Sequence, residues 1–217
     1  MSKKVAFVLS GCGYLDGAEI TEAVSSLVCL SRHDVEVEAF APNMEVLEVD
    51  HICQEERDQK INVLKESARI MRGKIKALSA LNMDDFDGIV FPGGFGAAKN
   101  LSDFASRGAD AKLEPHVEKI LKAAHSQSKP ICAFCISPVL VALALGKKAV
   151  QLTVGNDEAT VAAIEKTGAQ HVNCKVDDFV SDRENKIITS PAYMYEAKPA
   201  EVFAGIEKAI NEFVEMA

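Results

Sequence analysis

Residues 129–138 read Lys-Pro-Ile-Cys-Ala-Phe-Cys-Ile-Ser-Pro, and two kinds of secondary structure meet inside this stretch. Pro130–Phe134 is a short unbroken apolar run, the pattern of a strand buried on both faces. Ser137–Leu145 then reads as a helix, with proline in its first turn and Gly146 as its stop. A strand that passes straight into a helix is half of a βαβ unit, so this stretch predicts a parallel sheet covered by helices.

The same alternation extends outward in both directions. Upstream, Val5–Ser10 predicts a buried strand ending in Gly11-Cys12-Gly13, followed by a helix over Glu19–Ser31. In that helix Ile20, Ala23, Val24, Leu27, Val28 and Leu30 fall at helical spacing. Val35–Phe40 alternates as a strand and stops at Ala41-Pro42-Asn43, and residues 44–60 read as polar and irregular. Asn62–Arg72 predicts a helix closed by Gly73, Gly88–Phe91 a strand ending in Pro92-Gly93-Gly94, and Pro115–Ser126 a helix. Downstream come a helix at Glu158–Thr167, strands at Gln170–Val176 and Lys186–Thr189, and a final helix from about Ala200. The expected architecture is α/β, a flavodoxin-like three-layer sandwich with a mostly parallel central sheet. No repeat or linker divides residues 1–217, so one domain is expected.

Composition narrows the function classes. The chain has 217 residues, 48% hydrophobic and 26% charged, as in an ordinary globular protein. Its 24 basic and 32 acidic residues leave a net charge of −8, which argues against nucleic acid or an anionic membrane as partner. No apolar run reaches the length of a membrane span. The opening MSKKVAFVLSGCG runs into a strand without an export-signal core, so a cytoplasmic location is expected, with the six cysteines as reduced thiols.

In a doubly wound sheet, ligands bind outside the carboxyl ends of the strands. That rule selects residues 11–19, 92–100, 135–138 and 190–195. Cys135 stands at the strand-to-helix elbow, where a helix N-terminus favours the thiolate and the Ile136 N–H faces an oxyanion beside the sulfur. A cysteine there is otherwise a packing residue, free cysteine being among the most buried types. Gly93 and Gly94 lack a Cβ and let backbone N–H groups approach a ligand, forming the other half of an oxyanion hole. Gly11-Cys12-Gly13 resembles a dinucleotide loop only in part, because Asp16 occupies the third glycine position. Cys132 and Cys135 form a C-x-x-C pair, but Cys132 falls inside the strand and no second pair has zinc spacing. Cys12 is a second candidate exposed thiol.

Several blocks carry a resemblance: Leu9–Gly13 (LSGCG), Asp16–Ile20 (DGAEI), Ala68–Ile70, Pro92–Ala105 (PGGFGAAKNLSDFA) and Thr189–Met194 (TSPAYM). With the cysteine elbow, they resemble the ElbB family of the class I glutamine amidotransferase-like, PfpI-type superfamily, along nearly the whole chain. The resemblance implies a glyoxalase III-like activity, glyoxal to glycolate without glutathione, or removal of glyoxal-type adducts from a glycated substrate. It also carries a name linked to isoprenoid biosynthesis. It implies Cys135 as nucleophile, Glu19 as the carboxylate bonded to its sulfur, and no cofactor or metal. Lys99, Asn100 and Tyr193 would line the same pocket, with Lys99 against a carboxylate product.

One departure matters. PfpI-type proteins usually place histidine directly after the cysteine, where this chain has Ile136, and Leu152–Asn156 also lacks one. Of the five histidines, His51 alone stands in an irregular segment within reach of such a role. Two functions are therefore carried forward: a weak cofactor-free glyoxalase, or a non-catalytic binding or regulatory protein with a redox-sensitive thiol. A homodimer is the default assembly.

Overall fold

A computed structural model describes residues 2–217. In chain order the elements are β1 (Lys3–Val8), α1 (Ile20–Leu30), β2 (Val35–Ala41), β3 (Glu45–Asp50), β4 (Glu55–Asn62), α2 (Val63–Ile70), β5 (Lys76–Ala77) and β6 (Gly88–Phe91). There follow α3 (Phe95–Lys99), α4 (Phe104–Arg107), α5 (Pro115–Ser126), β7 (Ile131–Phe134), α6 (Pro138–Leu145), β8 (Gln151–Leu152) and α7 (Glu158–Lys166). The chain closes with β9 (Gln170–His171), β10 (Val180–Asp182), β11 (Ile187–Ser190) and α8 (Pro199–Met216).

Seven strands form the central sheet in the order β10-β11-β7-β6-β1-β2-β5. All neighbours are parallel except β10, which runs antiparallel to β11 at one edge. The expected α/β, flavodoxin-like sandwich is therefore the fold. The period of two along each strand feeds two cores. Ile89, Phe91, Ile131 and Ala133 pack on the face covered by α5 and α6, while Val90, Cys132, Phe134 and Ile188 pack on the face covered by α1 and α8. Because both faces are covered, β6 and β7 are buried at every position.

Two expectations need correction. Residues 44–60 are largely a hairpin: β3 and β4 pair antiparallel as a separate two-stranded sheet with a register shift between Leu47 and Val49. Apolar alternation is absent from β4 because Glu55–Lys60 are all exposed. The strand expected over Gln170–Val176 shrinks to β9, which pairs parallel with β8.

Helix α1 buries a mixed polar and apolar face. Its buried face carries Glu22, Ala23, Ser25, Ser26, Cys29 and Leu30, whereas Ile20, Val24 and Val28 are exposed. Of the six apolar residues at helical spacing, only Ala23 and Leu30 are buried and Leu27 is half-buried. Ser26 is bonded within the helix, its Oγ donating to the Glu22 carbonyl at 2.7 Å.

Candidate functional site

Cys135 follows β7 with φ +59°, a left-handed conformation that a non-glycine residue adopts at a cost of about 1–3 kcal/mol. The elbow is tied on both sides. Cys135 N–H donates to the Ser190 carbonyl at 3.0 Å, Ser137 N–H to Phe134 at 2.9 Å, and the buried Ser137 Oγ to Pro92 at 2.6 Å. These bonds bring three loops together around one sulfur. The backbone N–H groups of Gly94 and Ile136 favour negative charge on that sulfur.

The carboxylate partner is Glu22, on the first turn of α1 and completely buried. It stands against Cys135 across Gly93, and each of the two groups shifts the other's titration. Its Oε2 accepts from Gly93 N–H at 2.8 Å and its Oε1 from Tyr193 N–H at 3.2 Å. Burial first, then the charge of Glu19, push Glu22 up to about 8. Burial, then Glu22, hold the thiol well above its ordinary value, against the two N–H groups that favour its thiolate. The helix terminus expected to generate a resting thiolate is outweighed, and at neutral pH the pair is a thiol beside a carboxylic acid.

Gly93 cannot be replaced here without conflict: a Cβ would sit 2.3 Å from Cys135 Cβ and 2.6 Å from Glu22 Oε2. Gly94, with φ +97°, lets the chain pass Gly17, whose carbonyl oxygen would be 2.4 Å from an added Cβ.

Beside the sulfur opens a cavity of about 630 Å³, within the usual size of small-molecule sites. All four expected loops line it, through Tyr14 and Glu19, Gly94 and Phe95, Cys135 and Ile136, and Tyr193 and Met194. Phe104 and Ala105, at the end of the block Pro92–Ala105 that carries the resemblance, and Asp157 and Thr160, which the sequence did not single out, complete the wall.

The expected site residues divide accordingly. Cys135, Gly94, Ile136 and Tyr193 reach the cavity, and Gly93 braces it from behind through Glu22. Glu19 also reaches the cavity but caps α1, accepting from Glu22 N–H at 2.6 Å; the role expected of it falls to Glu22. Asn100 is buried and spends its amide on the Ser10 and Asp16 carbonyls, both at 2.8 Å, so it staples loops together. Lys99 pairs across 3.9 Å with Glu56 on β4 and does not line the cavity. Cys12 is half-buried beside Glu66 and Arg69, also away from the lining, and burial raises its thiol.

No histidine lines the cavity among the described residues. His51 is held by backbone: Nδ1 lies 2.9 Å from the Val49 carbonyl and Nε2 accepts from Leu15 N–H at 3.3 Å. It supports Tyr14, whose ring meets it edge-on with centroids 5.4 Å apart. All six cysteines are free thiols.

Residues 3–197 match the model of the DJ-1/PfpI family. The chain belongs to that family, which includes glyoxalase and deglycase members. It is 43% identical to the rat (Rattus norvegicus) "ES1 protein homolog, mitochondrial" over 98% of this chain and 84% of the relative. It is likewise 43% identical to the human (Homo sapiens) "Glutamine amidotransferase-like class 1 domain-containing protein 3, mitochondrial", over 98% of this chain and 83% of the relative. Among solved structures, an isoprenoid biosynthesis protein with amidotransferase-like domain from Ehrlichia chaffeensis superposes with a TM-score of 0.92 at 36% identity, covering 99% of this chain and all of that one. The names of the curated relatives correct the cytoplasmic expectation, which does not stand: both are mitochondrial proteins.

Proposed function

We propose that this DJ-1/PfpI-family protein is a cofactor-independent enzyme of the glyoxalase type, akin to the ElbB proteins, acting on small aldehydes through Cys135. The observation that carries the reading is the buried carboxyl of Glu22 set against Cys135, both packed on Gly93, with two backbone N–H groups favouring charge on the sulfur. Once Glu22 ionises, a carboxylate and a thiol share one proton where a carbonyl carbon can reach the sulfur.

The chemistry follows from that pair. Ionised Glu22 takes the thiol proton as sulfur adds to one aldehyde carbon of glyoxal and passes it to the former carbonyl oxygen, giving a hemithioacetal and restoring the carboxylate. Glu22 then moves the proton on that carbon to the neighbouring carbon, and the adduct becomes the thioester of glycolate. Water cleaves the thioester, releasing glycolate and restoring the thiol. The N–H groups of Gly94 and Ile136 stabilise negative charge at the sulfur as it attacks and as it leaves.

The base form of Glu22 is required, and Glu22 sits at about 8. Glyoxal kcat/KM is therefore expected to rise with pH and level off above about pH 8, in contrast to a resting thiolate, which would give a flat profile from neutrality. Glycolate formation by wild type and its absence in Cys135→Ala test the reading directly.

A second reading is supported by one observation, the lack of a histidine in the cavity lining. In it the chain binds a ligand without turnover and Cys135 is a regulatory thiol, in a context of the kind named for the Ehrlichia protein. Wild type that forms no glycolate, or Cys135→Ala that forms as much as wild type, would favour this second reading.

A further inference from the structure

Glyoxal has four non-hydrogen atoms, whereas the cavity of about 630 Å³ beside Cys135 has the size of a site for a far larger ligand. Its walls are mostly apolar, including Phe95, Phe104, Ile136 and Met194. Its charge is one-sided. Glu19 and Asp157 are in the lining, and no lysine, arginine or histidine is, among the described residues.

Helix N-termini ordinarily attract anions, and α1 and α7 both begin at this cavity. Each has been filled by a carboxylate of the chain itself. Glu19 accepts from Glu22 N–H at 2.6 Å, and Asp157 from Thr160 N–H at 2.8 Å. The Thr160 bonds also hold Asp157 below its ordinary range, so it is charged at neutral pH. The lysine nearest the glycine turn, Lys99, faces Glu56 on the hairpin instead. An anionic ligand would therefore meet two carboxylates, two used helix termini and no cation.

We propose that the natural substrate is an uncharged or cationic carbonyl compound with an apolar body, and that the capping carboxylates of Glu19 and Asp157 exclude anionic carbonyls such as 2-oxo acids. The inference rests on the reading of Cys135 as the reacting group. The same repulsion hastens departure of a carboxylate product.

Charged thiol reagents test this without requiring turnover. Methyl, trimethylammonioethyl and sulfonatoethyl methanethiosulfonates are uncharged, cationic and anionic, respectively. In each case the thiol attacks the sulfenyl sulfur, a mixed disulfide forms, and methanesulfinate leaves with the thiol proton in solution. Rates at Cys135 would be read by peptide mass on the full chain at pH 7, where Glu22 is protonated, and each divided by the reagent's rate with 2-mercaptoethanol. The cationic reagent is expected to react about tenfold faster than the anionic one, the scale of electrostatic focusing in a cleft. In Glu19→Gln/Asp157→Asn the gap should close to about twofold or less, because both replacements keep the capping oxygen and remove only charge. A single Asp157→Asn variant, narrowing the gap in part, guards against a double variant that fails to fold. Equal normalised rates in wild type, or an unchanged gap in the folded variants, would overturn the charge assignment alone. Cys135 inert to all three reagents both at pH 7 and at pH 9, where Glu22 is ionised, would overturn both this inference and the proposed function.

Discussion

Glu22→Gln is expected to lower glyoxal turnover by about 10²–10⁴-fold, the usual cost of losing a general base, while the chain remains folded. Steady-state glycolate formation measures it. Turnover within about threefold of wild type would remove Glu22 from the mechanism. The same substitution has a thermodynamic signature that a bystander would lack. Glu22 is raised from 4.5 to about 8 in the folded chain, so between those values the native state holds a proton that the unfolded state has released. Stability from this group is fully present below about 4.5, declines as pH rises, and is lost above about 8. Each pH unit is worth up to about 1.4 kcal/mol, so the full span is at most about 5 kcal/mol. Glutamine cannot ionise. Its amide oxygen can keep the Gly93 bond, but its NH₂ then faces Tyr193 N–H, a pH-independent loss of about 1 kcal/mol. Calorimetry from pH 5 to 9 should therefore show the difference in Tm between wild type and variant shifting in the variant's favour as pH rises. A constant difference would mean that Glu22 is ionised throughout.

Gly93→Ala is the second large effect. The added methyl would stand 2.3 Å from Cys135 Cβ, 2.6 Å from Glu22 Oε2 and 2.9 Å from the Phe134 carbonyl oxygen. None of these is the free end of a flexible side chain. The elbow is fixed by its bonds to Ser190 and Pro92, and Glu22 by its bonds to two backbone N–H groups. The methyl must push the thiol and the carboxyl apart. Overpacking of this kind costs about 1–3 kcal/mol, and a displacement of about 1 Å at a reacting pair costs about 10²-fold in rate. Thermal unfolding together with glycolate formation would show both losses, and a variant with native Tm and native turnover would contradict the geometry.

How much of this could be read from sequence depended on which faces were buried. β6 and β7 are covered on both sides and apolar throughout, β1 is apolar from Val5 and β11 at Ile187 and Ile188, so all four are visible as strands. The elbow was visible for the same reason, as an apolar run stopped by Cys135-Ile136-Ser137-Pro138. Cys135, Gly94, Ile136 and Tyr193 were found because the sheet-edge rule selects loops by topology, without needing contacts. Glu22 was not found. Hydrophobic spacing marks α1 as a helix without fixing its inner face, and Val24 and Val28 of the spaced set are exposed. The inner face in fact carries serines and a glutamate whose burial is made tolerable by bonds from Gly93 and Tyr193, residues about 70 and 170 positions away. Such distant donors leave no local signal. Asp157 and Thr160 escaped notice likewise, as an ordinary helix cap. Lys99 and Asn100 follow the glycine turn directly, but the short helix α3 carries them to the hairpin and to the first loop.

The hairpin of β3 and β4 has a consequence for how copies of this protein meet. It pairs with no strand of the main sheet, and although Val49 N–H on β3 is taken by Asp16, the exposed outer edge of β4 faces solvent and is open to another chain. Exposed edges of that kind template strand-by-strand aggregation. Along β4 the chain reads Glu-Glu-Arg-Asp-Gln-Lys from Glu55 to Lys60, charged at five of six positions and exposed at all of them. A docking strand would have to desolvate those charges for backbone bonds alone, with no apolar stripe to bury. The residues that hid this ribbon from a search for hydrophobic pattern are the ones that make it a poor seed for fibrils.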